Sequence, residues 1–171
     1  MNSFKKVTEL PGVWIRSLLP HIDNRGVFIE EFKLKEIEIK VPAFVQDSLS
    51  YSGQNVLRGM HSQRDQWQLV TLIKGSIIDV VINIDENSEF YLNRVSFNLT
   101  PSGVNQILIS PGIAHGFAVT SNEAIIHYKS SVYYDIKKQS GIRWDSKPIV
   151  EYWPKKDWII SSRDASHVKI Q

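Results

Sequence analysis

Gln68-Leu69-Val70-Thr71-Leu72-Ile73-Lys74-Gly75-Ser76-Ile77-Ile78-Asp79-Val80-Val81-Ile82-Asn83-Ile84 reads as two strands and the turn between them. β-Branched and other apolar side chains fill both runs, Lys74-Gly75 is turn chemistry at the junction, and no helical period passes through either. In an extended chain, residues of like parity share a face. Ile77, Asp79, Val81 and Asn83 therefore oppose Ile78, Val80, Ile82 and Ile84, which puts polar groups on one face and pure aliphatics on the other.

The same period of two continues outward in both directions. Residues 13–19 read as a strand that stops at Pro20, 21–26 as a turn, and 27–32 as extended chain again. The stretch 32–37 is the best candidate for a short helix in the first third. From Phe44 onward short strands and turns alternate, most clearly at 68–73, 76–84, 91–99, 105–109, 116–119 and 124–134. Asp85-Glu86-Asn87-Ser88, Pro101-Ser102-Gly103, Ser110-Pro111-Gly112 and Ser121-Asn122-Glu123 punctuate them. The tail from Lys155 holds one modest helix candidate. Regularly spaced short strands of this kind predict an all-β sandwich or barrel, with the ligand at its open mouth. No repeat or linker divides the chain, so residues 1–171 are expected to form one domain.

Composition sets the remaining bounds. With 42% hydrophobic and 22% charged residues the chain has the make-up of an ordinary soluble globule. A formal charge of +2 and the lack of a Lys/Arg block argue against a nucleic-acid partner. The absence of cysteine rules out disulfides and thiolate metal sites. No apolar run approaches the roughly 18 residues that a membrane span needs, and the N-terminus carries no signal-like segment, so the expected location is the cytoplasm.

Two histidines sit in turn-rich motifs, Leu57-Arg58-Gly59-Met60-His61 and, 54 residues later, Pro111-Gly112-Ile113-Ala114-His115-Gly116-Phe117. Strand-borne imidazoles that converge inside a small barrel would make a site for acid/base chemistry near neutral pH. Ile126 and Tyr128 share one face of their strand while Ile125, His127 and Lys129 take the other, so only one of Tyr128 and His127 can line the cavity.

Further motifs carry a family resemblance. Asp23-x-Arg25-Gly26-x-Phe28-x-Glu30, Phe44-Val45-Gln46-Asp47 and Val56-Leu57-Arg58-Gly59-Met60-His61-x-Gln63 are three of them. They are followed in order by Leu69-Val70, Gly75-x-Ile77-x-Asp79-Val80, the Pro111-to-Phe117 motif and Tyr128-Lys129. Tyr133-Tyr134, Gly141-Ile142-x-Trp144, Trp153-Pro154 and Ser162-Arg163-Asp164 complete the series. From Val13 to Asp164 the chain resembles the dTDP-4-dehydrorhamnose 3,5-epimerase family. That resemblance implies a cupin-type jelly roll with short flanking helices, and a homodimer in which the N-terminal strands take part. It also implies a cofactor-independent, metal-free isomerase acting on nucleoside-diphosphate 4-keto-6-deoxyhexoses.

By the same resemblance His61 would be the base that removes the proton beside the 4-keto group. Asp164 would hold its other nitrogen, and Tyr128 would protonate the opposite face of the enolate. Arg58 and Arg25 would meet the diphosphate and nucleoside, with Phe28 and Glu30 at the nucleobase, partly across the dimer interface. Gln46 and His115 would line the sugar site, and Gln68 and Tyr134 belong to the same substrate-binding set. A ketone acidifies the adjacent carbon, but inversion still needs a base on one face and an acid on the other.

The departures bear on specificity. Gln68 stands where the family carries a lysine whose ammonium can stabilise the enolate oxygen, and a neutral amide gives a weaker hydrogen bond. The 61–69 loop is about three residues shorter than usual when the motifs are aligned. Ser48 replaces an asparagine and Asp85 an arginine. Epimerisation at carbon 3 only is the variation these changes suggest. A dTDP sugar is expected, with GDP- and CDP-sugars left open.

Two other readings compete. A metal-dependent cupin generally presents a His-x-His pair, a nearby Glu and a later His. Here Ser62 and Gln63 follow His61, no Glu lies between His61 and Gly75, and only His115 remains. A non-catalytic sugar-nucleotide binder is made plausible by Gln68 but has no use for His61, Tyr128 and Asp164 together. Trp14, Trp144, Trp153 and Trp158 read as packing, and His21, His127 and His167 as surface or structural residues.

Overall fold

The computed structural model describes residues 3–171 and is built almost wholly from strands. The first four are β1 (Lys5–Lys6), β2 (Val13–Arg16), β3 (Pro20–Asp23) and β4 (Gly26–Ile29). Next come β5 (Gln46–Gly53), β6 (Leu57–Gln63), β7 (Gln68–Lys74), β8 (Ile77–Asn83) and β9 (Arg94–Leu99). The last are β10 (Gln106–Ile109), β11 (Ile113–Val119), β12 (Glu123–Ser130) and β13 (Gln139–Ser140), followed by the single helical turn α1 (Ser162–Ala165).

One sheet runs β1-β2-β10-β7-β12-β5 and the other β13-β6-β11-β8-β9, while β3 and β4 pair as a separate hairpin. Strands adjacent in space are mostly distant in sequence, and the two sheets face each other as the layers of a jelly roll. Val70, Leu72, Val81, Ile107, Phe117 and Ile126 are buried between them. The parity reading of β8 holds. Ile77 and Val81 face this inner core with Asp79 fully buried beside them, while Val80 and Ile82 point outward.

The outward aliphatic face is covered by the chain's own tail. Ile142, Ile149 and Trp153 pack on Leu57, Met60, Val80 and Ile82, and Trp153 Nε1 donates to Trp144 O at 2.8 Å. Burial of side chains this size contributes about 1.5–3 kcal/mol each, which fixes the tail that leads into α1. On the outside of the other sheet, Leu69 and Leu108 are covered by Ile37, Trp14 and Trp67, with the two indoles stacked 5.8 Å apart. The tryptophans are packing residues, as expected.

Several boundaries differ from the sequence reading. The first long strand ends at Arg16, whose side chain lies on the covered outer face with Trp14 and donates from Nε to Gln106 Oε1 and from Nη2 to Glu31 O. The helix expected at 32–37 is a 3₁₀ turn at Leu34–Glu36. The strand expected from 91 begins at Arg94, after Leu92 adopts φ +64°. The strand expected at 116–119 starts at Ile113, so His115 is itself in a strand. At Gly75 a Cβ would stand 2.0 Å from Glu123 O, and φ is +85°, so this turn needs glycine. Among the described residues, no helix is long and apolar enough to cross a membrane.

Candidate active site

β6 and β11 are antiparallel neighbours, and His61 and His115 are Cα partners in their register. Cross-strand partners share a face, which is why two imidazoles 54 residues apart converge. Both line a cavity of about 400 Å³ between the sheets. The strands approach unusually closely here. A Cβ on Gly59 would lie 2.5 Å from Gly116 Cα, and Gly59 has φ +136°, so the Arg58-Gly59 step of the motif admits no side chain.

The helical turn α1 docks against the same strand, β6. Ser161 caps it, its Oγ accepting from Asp164 N at 3.1 Å. Asp164 then points back into β6, where Oδ2 accepts from Gly59 N at 3.0 Å and Oδ1 lies 2.8 Å from His61 Nε2. Burial alone would raise the Asp164 pKa, but the His61 and Gly59 hydrogen bonds outweigh it and hold the carboxyl at about 2. An ionised Asp164 accepts the Nε2 proton of neutral His61, which leaves the ring lone pair on Nδ1.

A pH dependence follows. Because the folded pKa lies below the ordinary 3.8, Asp164 contributes stability above about pH 4, and that contribution disappears as pH falls through about 2. Urea unfolding should show Asp164→Asn less stable than wild type by about 2 kcal/mol at neutral pH. The gap should close on acidification; a gap independent of pH would mean that the carboxylate charge is not what Gly59 and His61 stabilise.

The opposite wall comes from the other sheet. β12 turns Tyr128 into the cavity and His127 outward. His127 bonds Glu31 at 2.5 Å and lies 3.8 Å from Asp47, a structural role. Tyr128 OH lies 3.4 Å from Ser50 Oγ, and its ring is 6.2 Å from that of His115. Burial pushes the Tyr128 pKa up, with Ser50 opposing, so the phenol keeps its proton at neutral pH. Behind His115 stands Asp79, whose Oδ2 is 3.3 Å from Nδ1. Burial raises the Asp79 pKa against the pull of His115, and Asp79 Oδ1 has no hydrogen-bond partner.

Gln46, Arg58, Gln68 and Tyr134 all line the cavity. Arg58 Nε donates to Ser52 Oγ at 3.0 Å, and Gln46 Oε1 accepts from Tyr134 N at 2.8 Å. Arg25, Phe28 and Glu30 do not line it. They occupy the exposed β3–β4 hairpin and its exit, where Arg25 pairs with Asp23, Glu30 pairs with Lys33, and Phe28 is 67% exposed.

Sequence reasoning missed one residue of the cavity wall and two that stand behind it. Asp79 carries no site role in the sequence reading, where it stands as a polar residue on an aliphatic strand and as part of the Gly75-to-Val80 motif. Arg163, next to Asp164 in the motif, reaches the cavity and donates to Tyr134 OH at 2.7 Å. His167, expected at the surface or in a structural role, has its ring 5.6 Å from that of His61.

Comparison with known proteins gives this geometry its lineage. The family profile described as dTDP-4-dehydrorhamnose 3,5-epimerase matches residues 7–171. The chain is 37% identical over 175 residues to the dTDP-4-dehydrorhamnose 3,5-epimerase of Shigella flexneri, covering 99% of this chain and 96% of that one. It is 38% identical over 165 residues to the enzyme of that name from Methanothermobacter thermautotrophicus, covering 92% and 89%. Among solved structures it superposes with TM-score 0.90 and 29% identity on a Legionella pneumophila 3,5-epimerase in complex with dTDP-4-keto-L-rhamnose, covering 99% and 93%. It matches a 4-keto-6-deoxy sugar epimerase from the novobiocin cluster of Streptomyces spheroides at TM-score 0.90 and 27% identity, covering 99% and 87%. A capped helical turn that delivers a carboxylate to a strand-borne imidazole thus sits in a chain matched along nearly its whole length, and the protein belongs to the dTDP-4-dehydrorhamnose 3,5-epimerase family of isomerases.

Proposed function

We propose that the chain epimerises a dTDP-linked 4-keto-6-deoxyhexose through an enolate, with carbon 3 as the preferred centre. One observation carries this reading. His61 stands on the five-stranded sheet and Tyr128 on the six-stranded sheet, and both face the same cavity. A sugar ring lying between the walls meets a base on one side and a proton donor on the other, the arrangement that inversion requires. Asp164 orients His61 and stabilises the imidazolium formed when the proton arrives.

His115, held by Asp79, and Gln68 are the donors available to the enolate oxygen, and Arg58 is the cation placed for the diphosphate. Arg25, Phe28 and Glu30 would complete the nucleotide site of a partner subunit in a homodimer. Exposed apolar side chains on that hairpin, Ile22 at 73% and Val27 at 61%, support such a contact. No step in this scheme draws on a metal or cofactor.

The test is incorporation of solvent deuterium into a panel of 4-keto sugar nucleotides, read separately at the two carbons beside the ketone, in wild type and Gln68→Lys. Wild type should exchange carbon 3 faster than carbon 5. A missing charged oxyanion donor typically costs on the order of 100- to 1000-fold, so Gln68→Lys should raise exchange. If wild type matches a lysine-bearing relative at both carbons, and Gln68→Lys slows both, another group stabilises the enolate. Binding without any exchange would favour the sugar-nucleotide binder, the reading that Gln68 itself supports.

A further inference from the structure

The His61–Asp164 pair has a third neighbour that the proposed reaction does not use. His167 lies three residues beyond Asp164, its ring set edge-on to His61 at 64°. Its Nε2 is buried and has no hydrogen-bond partner. One donor atom from each of His61, Asp164 and His167 lies within 4.8 Å of the others. The neighbouring backbone leaves room for the ring, since a Cβ on Gly141 would come within 3.2 Å of His167 Cε1.

Two imidazole nitrogens and one carboxylate oxygen are the donor set of borderline transition-metal dications. Ligands about 2.1 Å from such an ion sit roughly 3.4 Å apart in a tetrahedral arrangement, so the widest separation closes by little more than 1 Å at most while the 2.8 Å His61–Asp164 contact opens slightly. Sequence inspection discounted a metal because it found only His61 and His115; the second imidazole comes instead from the C-terminal segment.

We propose that His61, Asp164 and His167 bind one dication of the Zn²⁺ class, and that the bound ion inhibits the enzyme by occupying the base. The inhibitory half rests on the epimerase reading above, in which His61 is that base. The binding half does not. A metal there ties up the His61–Asp164 pair, so the proton beside the ketone has no acceptor. The ion is a regulator of the site and takes no part in turnover.

The experiment uses the full chain, free of affinity tags and stripped with chelator. Zn²⁺ is titrated by calorimetry and Co²⁺ by its visible absorption, with Mg²⁺ as the hard-cation control. Deuterium exchange is followed in parallel with and without Zn²⁺. Expected are one Zn²⁺ per chain, no Mg²⁺ binding, and exchange lost on zinc addition and restored by chelator. His167→Asn, or His167→Gln if the first does not fold, should weaken Zn²⁺ by at least about tenfold and leave exchange resistant to zinc. His115→Asn should still bind the ion.

No stoichiometric Zn²⁺, equal affinity in the His167 variants, or full exchange with zinc bound would overturn the proposal. So would transfer of the dependence to His115. If metal-free wild type shows no exchange at all, the epimerase reading fails, and the titration still decides whether the metal site exists.

Discussion

His61→Ala is expected to lower solvent-deuterium incorporation into the keto sugar by about 10³- to 10⁴-fold while leaving dTDP binding nearly unchanged. The separation follows from the geometry. His61 faces the cavity with its Nε2 engaged by Asp164 at 2.8 Å, whereas Arg58, the cation proposed for the diphosphate, is held by Ser52. The substitution also leaves Asp164 with fewer partners, at a cost of about 1–3 kcal/mol in stability. Thermal unfolding must therefore be measured alongside exchange, to show that the variant is folded when assayed. Loss of dTDP affinity in step with activity would mean that His61 builds the nucleotide site. Normal exchange would remove it from the mechanism.

The strands that the sequence revealed were those whose buried face is oily. β7, β8 and β10 carry Val, Ile and Leu, and their period of two is plain. β5 was not singled out. Its alternation is strict, but Ser48 and Ser50 face the cavity while Leu49 and Tyr51 face outward, at 57% and 67% exposure. A strand lining a polar cavity inverts the usual pattern, so a reading tuned to apolar interiors passes over it.

The site shows the same division. Motif residues His61, His115, Tyr128 and Asp164 are visible in one dimension; the structure brings the first three to one cavity with Arg58, Gln46, Gln68 and Tyr134, and sets Asp164 behind His61. What turns the list into a spatial arrangement is register and capping. Pairing of β6 with β11 sets His61 opposite His115, and the Ser161 cap aims Asp164 back at Gly59 and His61. Neither depends on residue type at the position it affects. Asp79, though part of a motif, and His167 carry no role in the sequence reading, because their meaning lies in the side chain each stands beside and no local pattern names that neighbour.

Tyr128→Phe should separate exchange from inversion. The ring lies against the inner core, and its hydroxyl makes one long contact, 3.4 Å to Ser50, so the phenyl ring can occupy the same space. With the hydroxyl gone, His61 still removes a proton from its own side of the sugar. It can also return a solvent-derived deuteron to that side, so label enters with retained configuration. What fails is delivery from the wall formed by β12. Loss of a positioned acid typically costs 10²- to 10⁴-fold, and here that loss should fall on epimerised product while exchange falls far less. The measurement is the ratio of inverted to retained product among labelled molecules, read by separating the two epimers by chromatography and weighing the deuterium in each by mass spectrometry. A wild-type ratio in Tyr128→Phe would assign the acid to another group on the cavity wall, with His115, whose ring is 6.2 Å from that of Tyr128, the first to test. Equal loss of exchange and inversion would instead place Tyr128 in the step that forms the enolate, donating to the ketone oxygen and not to carbon.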